Sequence, residues 1–153
     1  MSEGTYMSAE VNTRTEEQAV VFLLGQESYG IDIFRVNEII RLREITPIPK
    51  AEPHIRGLVN LRGKTIPVID LNVRLSLPNS EDSDATRIIV VDNDGGHVGL
   101  VVDGVREVVT LEPQQVQDAP AMVSNLSEEF VRGVASLEAG LITLLDLDKA
   151  LVA

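Results

Sequence analysis

Apolar residues along this chain gather in short runs, and the spacing within the runs is that of strands. Ala19–Leu24 is continuously apolar and leads into a turn at Gly25–Ser28. Tyr29–Phe34 alternates at Ile31, Asp32 and Ile33, the period of a half-buried strand. Val36–Ile40 fits either a strand or a helical turn. Pro47, Pro49 and Pro53 mark an irregular connection, because proline has no N–H to give a ladder. Gly57–Leu61 and Thr65–Asp70 flank Arg62-Gly63-Lys64, a hairpin pattern. Ser76–Ala85 has a linker composition. Strands resume at Arg87–Val91, and Asn93–Gly96 supplies the Asn, Asp and Gly that hairpin turns favour. His97–Val102 and Val105–Leu111 read as two strands broken at Asp103-Gly104. Glu112–Glu129 is polar and irregular; Val131–Leu137 and Leu141–Leu145 are the last strands. A short helix capped by Asp146 or Asp148 closes the pattern. Met1–Glu16 has no periodicity and reads as a flexible N-terminal tail.

An internal repeat organises these runs. Shifted by 69 positions, Gly30–Ile40 lies on Gly99–Val109, with Gly, Val and Glu coinciding. Shifted by 76, Arg56–Leu71 lies on Arg132–Leu147, with Arg, Gly, Leu, Ile, Asp and Leu coinciding. The offset grows by seven, so the second half carries extra residues near 112–129. Each repeat holds about five short strands, too few to be stable alone, and small units of this kind curl into barrels that remove exposed edges. The expected organisation is a tail over 1–16, a first β-barrel subdomain over 17–85 and a second over 86–153, sharing an aliphatic core.

Composition sharpens this picture. Of 153 residues, 3% are aromatic, while Val and Ile number 20 and 12, so the core is aliphatic and β-branched. Cysteine is absent, which excludes disulfides, thiolate metal sites and a cysteine nucleophile. No apolar run approaches a membrane span and no signal peptide opens the chain, so the expected location is cytoplasmic. The net charge of −11 argues against nucleic acid as a partner. Charge is uneven. Residues 1–75 hold nine bases and ten acids, and 76–153 hold four bases and fourteen acids. Such asymmetry orients partners.

Catalytic patterns are missing. Asp70 and Asp146 occupy the same place in the two repeats, as the acids of an aspartic protease dyad do. Each follows an apolar strand and precedes a helix-like stretch, so helix capping explains them better. His54 and His97 have no ligand spacing around them, no Gly-x-Ser-x-Gly elbow occurs, and Gly95-Gly96 lacks the Lys and Ser/Thr of a phosphate loop. No cofactor and no metal are expected. Glu38 and Arg62 are candidates to pair across a barrel. A chain of this kind binds through its surface rather than catalysing.

Four segments carry a family resemblance: Tyr29–Ile33, Ile55–Gly63, Ile66–Leu71 and Gly99–Val105. Together they resemble the CheW family of bacterial chemotaxis coupling proteins over Glu17 to Leu151. The resemblance implies an all-β fold of two five-stranded SH3-like barrels with short helices. It implies a non-enzymatic adaptor that links the cytoplasmic tips of chemoreceptors to the regulatory domain of the histidine kinase CheA, and recruitment to membrane receptor arrays that include other CheW copies. It places receptor binding at Val36, Glu38, Arg62, Gly99 and Val108. It places kinase binding at the loops around Ile45 and Ile48 and around Gln117 and Met122. A coupling protein of a non-flagellar pathway, such as surface motility or second-messenger control, is the alternative.

Overall fold

The structure, a computed structural model, describes residues 16–118 and 126–152. Eleven strands are found among them. They are β1 (Glu17–Leu24), β2 (Glu27–Asp32), β3 (Val36–Arg41), β4 (Ile55–Leu61), β5 (Lys64–Asp70), β6 (Arg87–Asn93), β7 (Gly96–Val102), β8 (Gly104–Leu111), β9 (Val116–Gln117), β10 (Val131–Leu137) and β11 (Gly140–Leu145). Two one-turn helices, α1 (Leu71–Arg74) and α2 (Leu147–Ala150), follow β5 and β11. The strands form a six-stranded sheet ordered β9-β10-β11-β2-β1-β8 and a five-stranded sheet ordered β3-β6-β7-β5-β4.

Apart from β9 the two orders are the same path, and the registers match. Leu144 lies opposite Gly30 in one parallel seam, and Val68 lies opposite Gly99 in the other. Register shifts fall at Ile55/Gly57 and at Val131/Gly133, which are 76 positions apart. Asp70 and Asp146 both cap: Asp70 Oδ1 accepts from the Val73 N–H at 3.3 Å, and Asp146 Oδ1 accepts from the Lys149 N–H at 3.1 Å. The repeat read from the sequence is therefore structural, and both aspartates are N-caps.

The expected split at residue 85 does not describe how strands are shared. The six-stranded sheet joins β1 and β2 to β8–β11, and the five-stranded sheet joins β3–β5 to β6 and β7. Each repeat lends its first hairpin to the other repeat's remaining strands, three in the five-stranded sheet and four, with β9, in the six-stranded one. The parallel seams explain this. A parallel neighbour cannot be reached by a tight turn, so β5 pairs with β7, and β11 with β2, across a long stretch of chain.

Two smaller expectations also shift. The second strand ends at Asp32 rather than Phe34, because the Asp32 carboxylate accepts from the Phe34 N–H at 2.9 Å and starts a 3-10 turn over Ile33–Arg35. The polar segment after Leu111 contributes β9 instead of remaining irregular. The N-terminal tail, Glu16 apart, lies outside the described residues.

Exchange also explains the continuous apolar runs. On β1, Val20, Phe22 and Leu24 face a cluster shared by both sheets, while Ala19 and Val21 face a cluster inside their own unit. On β6, Ile89 and Val91 join the shared cluster, and Ile88 and Val90 fill the interior of the five-stranded unit. Strands buried on both faces lose their polar alternation. The shared cluster is aliphatic, with Phe22, Tyr29 and Phe130 as its aromatic members.

Candidate protein-binding site

The hairpin between β4 and β5 turns at Arg62 and Gly63, both with positive φ (53° and 81°). That geometry suits a two-residue hairpin turn. Asn60 Oδ1 accepts from the Gly63 N–H at 3.2 Å and braces it. The turn carries Arg62 toward β3, where Glu38 sits just past a register shift and opposite Val90. Arg62 grips Glu38 with both terminal nitrogens: Nη2 donates to Oε1 at 2.7 Å, and Nη1 donates to Oε2. The fork-to-fork match fixes the guanidinium plane. The Arg62 side chain is 72% exposed and that of Glu38 20%, so Glu38 acts as the anchor and Arg62 presents charge outward. The hydrogen bond from Arg62 is the main reason the Glu38 carboxyl is held below its ordinary range, and the bond to Glu38 raises Arg62 in turn.

A cavity of about 130 Å³ opens beside the pair, lined by Asn37, Leu61, Lys64, Ile66, Val90 and His97 besides the pair itself. His97 Nε2 lies 3.2 Å from Asp92 Oδ1. Arg43 donates to the Asn60 carbonyl at 3.3 Å on the flank of the same hairpin. The result is a mainly cationic rim around an apolar floor. Among the described residues no cluster of three His, Asp or Glu is arranged to hold a metal.

The other residues expected at a receptor surface fall into two groups. Val108 on β8 is 50% exposed and stands on the surface. Val36 is only half-buried and packs against the shared core. Gly99 is buried: an added Cβ would stand 2.7 Å from Ile88 Cγ2 and 3.2 Å from Val68 Cγ2. The missing side chain lets β5, β6 and β7 close up. Val108 pairs with Val20 in the six-stranded sheet, whereas Glu38 and Gly99 both neighbour Val90 in the five-stranded one.

Sequence reasoning missed Ile39, 39% exposed on β3, and Phe34, 84% exposed on the 3-10 turn. The first was within reach, since the 69-residue shift lays Ile39 on Val108. Phe34 gave no signal, because an apolar residue ending an alternating run looks like core.

The residues expected to face a kinase lie on equivalent segments. Thr46, next to Ile45, bridges to Leu58 at the edge of β4, and Gln117 on β9 pairs with Val134 on β10. Ile45 packs onto the interior of the five-stranded unit, while Ile48 is 37% exposed and Gln117 is exposed. Met122 lies outside the described residues.

A duplicated β fold with exposed apolar positions and an oriented ion pair defines a protein-binding module. The CheW-like domain family matches residues 18–153, and the chain belongs to that family. It is 36% identical over 135 residues to the chemotaxis protein CheW of Klebsiella aerogenes, covering 88% of this chain and 81% of that protein. It superposes with a TM-score of 0.82 on the crystal structure of the scaffolding protein TtCheW from Thermoanaerobacter tengcongensis, at 37% identity over 90% of this chain and 88% of that one. Protein FrzA of Myxococcus xanthus is 30% identical over 142 residues, covering 90% of this chain and 87% of that protein. The family is one of chemotaxis scaffolds rather than of catalysts.

Proposed function

We propose that this protein is a cytoplasmic adaptor that couples chemoreceptor tips to the histidine kinase CheA, so that receptor state controls kinase autophosphorylation. The observation that carries the reading is the Arg62–Glu38 pair, which fixes the outward charge of Arg62 against edge strand β3, the strand that also carries the exposed Ile39. That combination suits a helical partner: apolar anchors supply most of the affinity and a fixed charge sets the pose. The receptor surface comprises Glu38, Arg62, Ile39 and Val108, with Val36 and Gly99 shaping it from beneath. The kinase surface comprises Ile48 and Gln117, with Ile45 supporting the first and Met122 adjoining the second. Recruitment to membrane receptor arrays and contact with further copies of the family follow from the same role.

Reconstitution with a receptor signalling fragment and CheA tests it. Kinase activity rises when the protein is added, and Val108→Asp abolishes receptor capture while circular dichroism is unchanged. Val108 is the better probe than Val36, whose substitution also disturbs the core. Unaltered capture by Val108→Asp overturns the receptor surface. The relationship to FrzA supports a second reading, coupling in a separate pathway; activity with only a non-chemotaxis receptor and kinase pair would select it.

A further inference from the structure

A second cavity, of about 250 Å³, lies away from the ion pair, between the β1–β2 turn and the start of the linker. Leu24, Tyr29, Leu77 and Pro78 give it apolar walls, and Gln26, Glu27, Asn72 and Ser80 give it polar ones. One wall belongs to the linker, fixed where the Leu77 N–H donates to the Asn72 carbonyl at 2.8 Å. Farther along, Arg56 ties the linker down through both oxygens of Asp82, at 3.2 and 2.8 Å.

Asn72 is 4% exposed. Its Nδ2 donates to Asp103 Oδ2 at 3.0 Å, and Asp103 Oδ2 also accepts from the Gly25 N–H at 2.6 Å. An ionised carboxylate accepts only, so the amide orientation is fixed and Asn72 Oδ1 is an acceptor. No described residue donates to that oxygen. A buried acceptor without a donor is costly, and such groups ordinarily have a partner. Nearby, Glu27 Oε1 accepts from the Tyr29 hydroxyl at 3.1 Å, and no described residue donates to Oε2. The lining contains one acid and no base.

We propose that this cavity binds a cationic donor on an apolar stem, an alkylamine or alkylguanidinium, with its head between Asn72 Oδ1 and the Glu27 carboxylate and its stem against Leu24, Leu77 and Pro78. The size is at the small end of ligand sites and suits a single chain rather than a ring system. The source is either a free amine or an arginine side chain of a partner.

Titration of the full chain by amide NMR, with agmatine and separately with N-acetyl-arginine N-methylamide, tests the site. Agmatine is expected to bind with a Kd on the order of 1 mM and to move the signals of Gly25, Gln26 and the Asn72 side chain. Glu27→Gln, an exposed change that spares the fold, weakens binding about tenfold, and Ser80→Trp at the rim abolishes it. Comparable binding of the arginine derivative assigns the site to a partner's side chain; binding of agmatine alone assigns it to a free amine. The proposal fails if neither ligand binds, if n-butanol binds as well as agmatine, or if Glu27→Gln leaves the Kd unchanged.

Discussion

The cavity beside Arg62 has a twin. Glu38, Leu61, Ile66, Val90 and His97 correspond through the repeat to Glu107, Leu137, Ile142, Val21 and Ser28, and those residues line a cavity on the six-stranded sheet. The backbone is duplicated but the chemistry is not. Arg62 corresponds to Glu138, so one half has an ion pair where the other has two carboxylates. The twin is much smaller, about 20 Å³ against about 130 Å³, and Arg106, which occupies the place of Asn37, donates to Ser28 beside it at 3.2 Å. Duplication supplied two similar sheets, and side-chain divergence left the roomier, ion-paired site on only one. An adaptor that must bind its partners in a defined orientation needs that asymmetry.

The largest expected effect concerns equivalent glycines. Gly57 has φ +143°, and a Cβ there would stand 2.1 Å from the Thr46 carbonyl oxygen. That carbonyl accepts from the Leu58 N–H at 2.8 Å, so it cannot retreat without losing a bridge. Gly133, its counterpart, would place a Cβ 2.9 Å from the Gln117 oxygen on two-residue β9, which can shift. Gly57→Ala should cost about 3 kcal/mol or more, lowering Tm by roughly 10 °C. Gly133→Ala should cost about 1 kcal/mol. Thermal and urea unfolding of both variants check this. Equal losses would mean that the two edges are held alike.

Which features were legible in the sequence follows from the same glycines and caps. Gly30 and Gly99 sit where Leu144 and Val68 crowd the parallel seams, and Asp70 and Asp146 must cap, so these residues recur and expose the repeat. The exchange of hairpins between repeats was not legible. A run such as Ile88–Val91 records that both faces are buried, but not which strand lies alongside. Glu38 and Arg62 were recognisable as partners, whereas their bidentate geometry depends on the Arg62-Gly63 turn. The packing demand at Gly99 was not legible, because the Ile88 and Val68 side chains that crowd it come from other strands. Asn72 was overlooked because burial and an idle acceptor are not properties of a sequence.

Next in size is conversion of the roomier cavity toward its twin. Arg62→Glu recreates the pair of acids found at Glu107 and Glu138, and receptor-fragment binding should fall at least about tenfold, or roughly 1.4 kcal/mol. Tm should barely move, since Arg62 is 72% exposed. Adding Glu38→Arg restores an ion pair of reversed polarity and should recover part of the loss. Full binding by Arg62→Glu, measured by titration calorimetry, would make the asymmetry irrelevant to partner choice.

The helix caps come third and should behave nearly alike. Asp70→Ala and Asp146→Ala each remove one N-cap bond, at a cost of about 1 kcal/mol. Asp70 should cost slightly more, because Arg56 Nη1 also lies 3.7 Å from its Oδ2. Urea midpoints resolve the pair, and a cost confined to one cap would break the equivalence.

The smallest effect is a pH dependence confined to the ion-paired side. Arg62 lowers the Glu38 pKa, mainly by hydrogen bonding, so the ion pair is fully formed above the ordinary carboxylate value of about 4.3. It is lost only as pH falls through the lowered value. Binding that depends on the pair should therefore be flat between about pH 5 and 8 as far as Glu38 is concerned. Carboxyl-carbon NMR should find Glu38 titrating below the ordinary glutamate range. Arg62→Ala should move that titration upward, while Arg106→Ala, which alters only the twin cavity, should leave it in place. A Glu38 titration that ignores Arg62 would mean that the guanidinium is not held by this carboxylate in solution, and the charge presented to a partner would then lack a fixed direction.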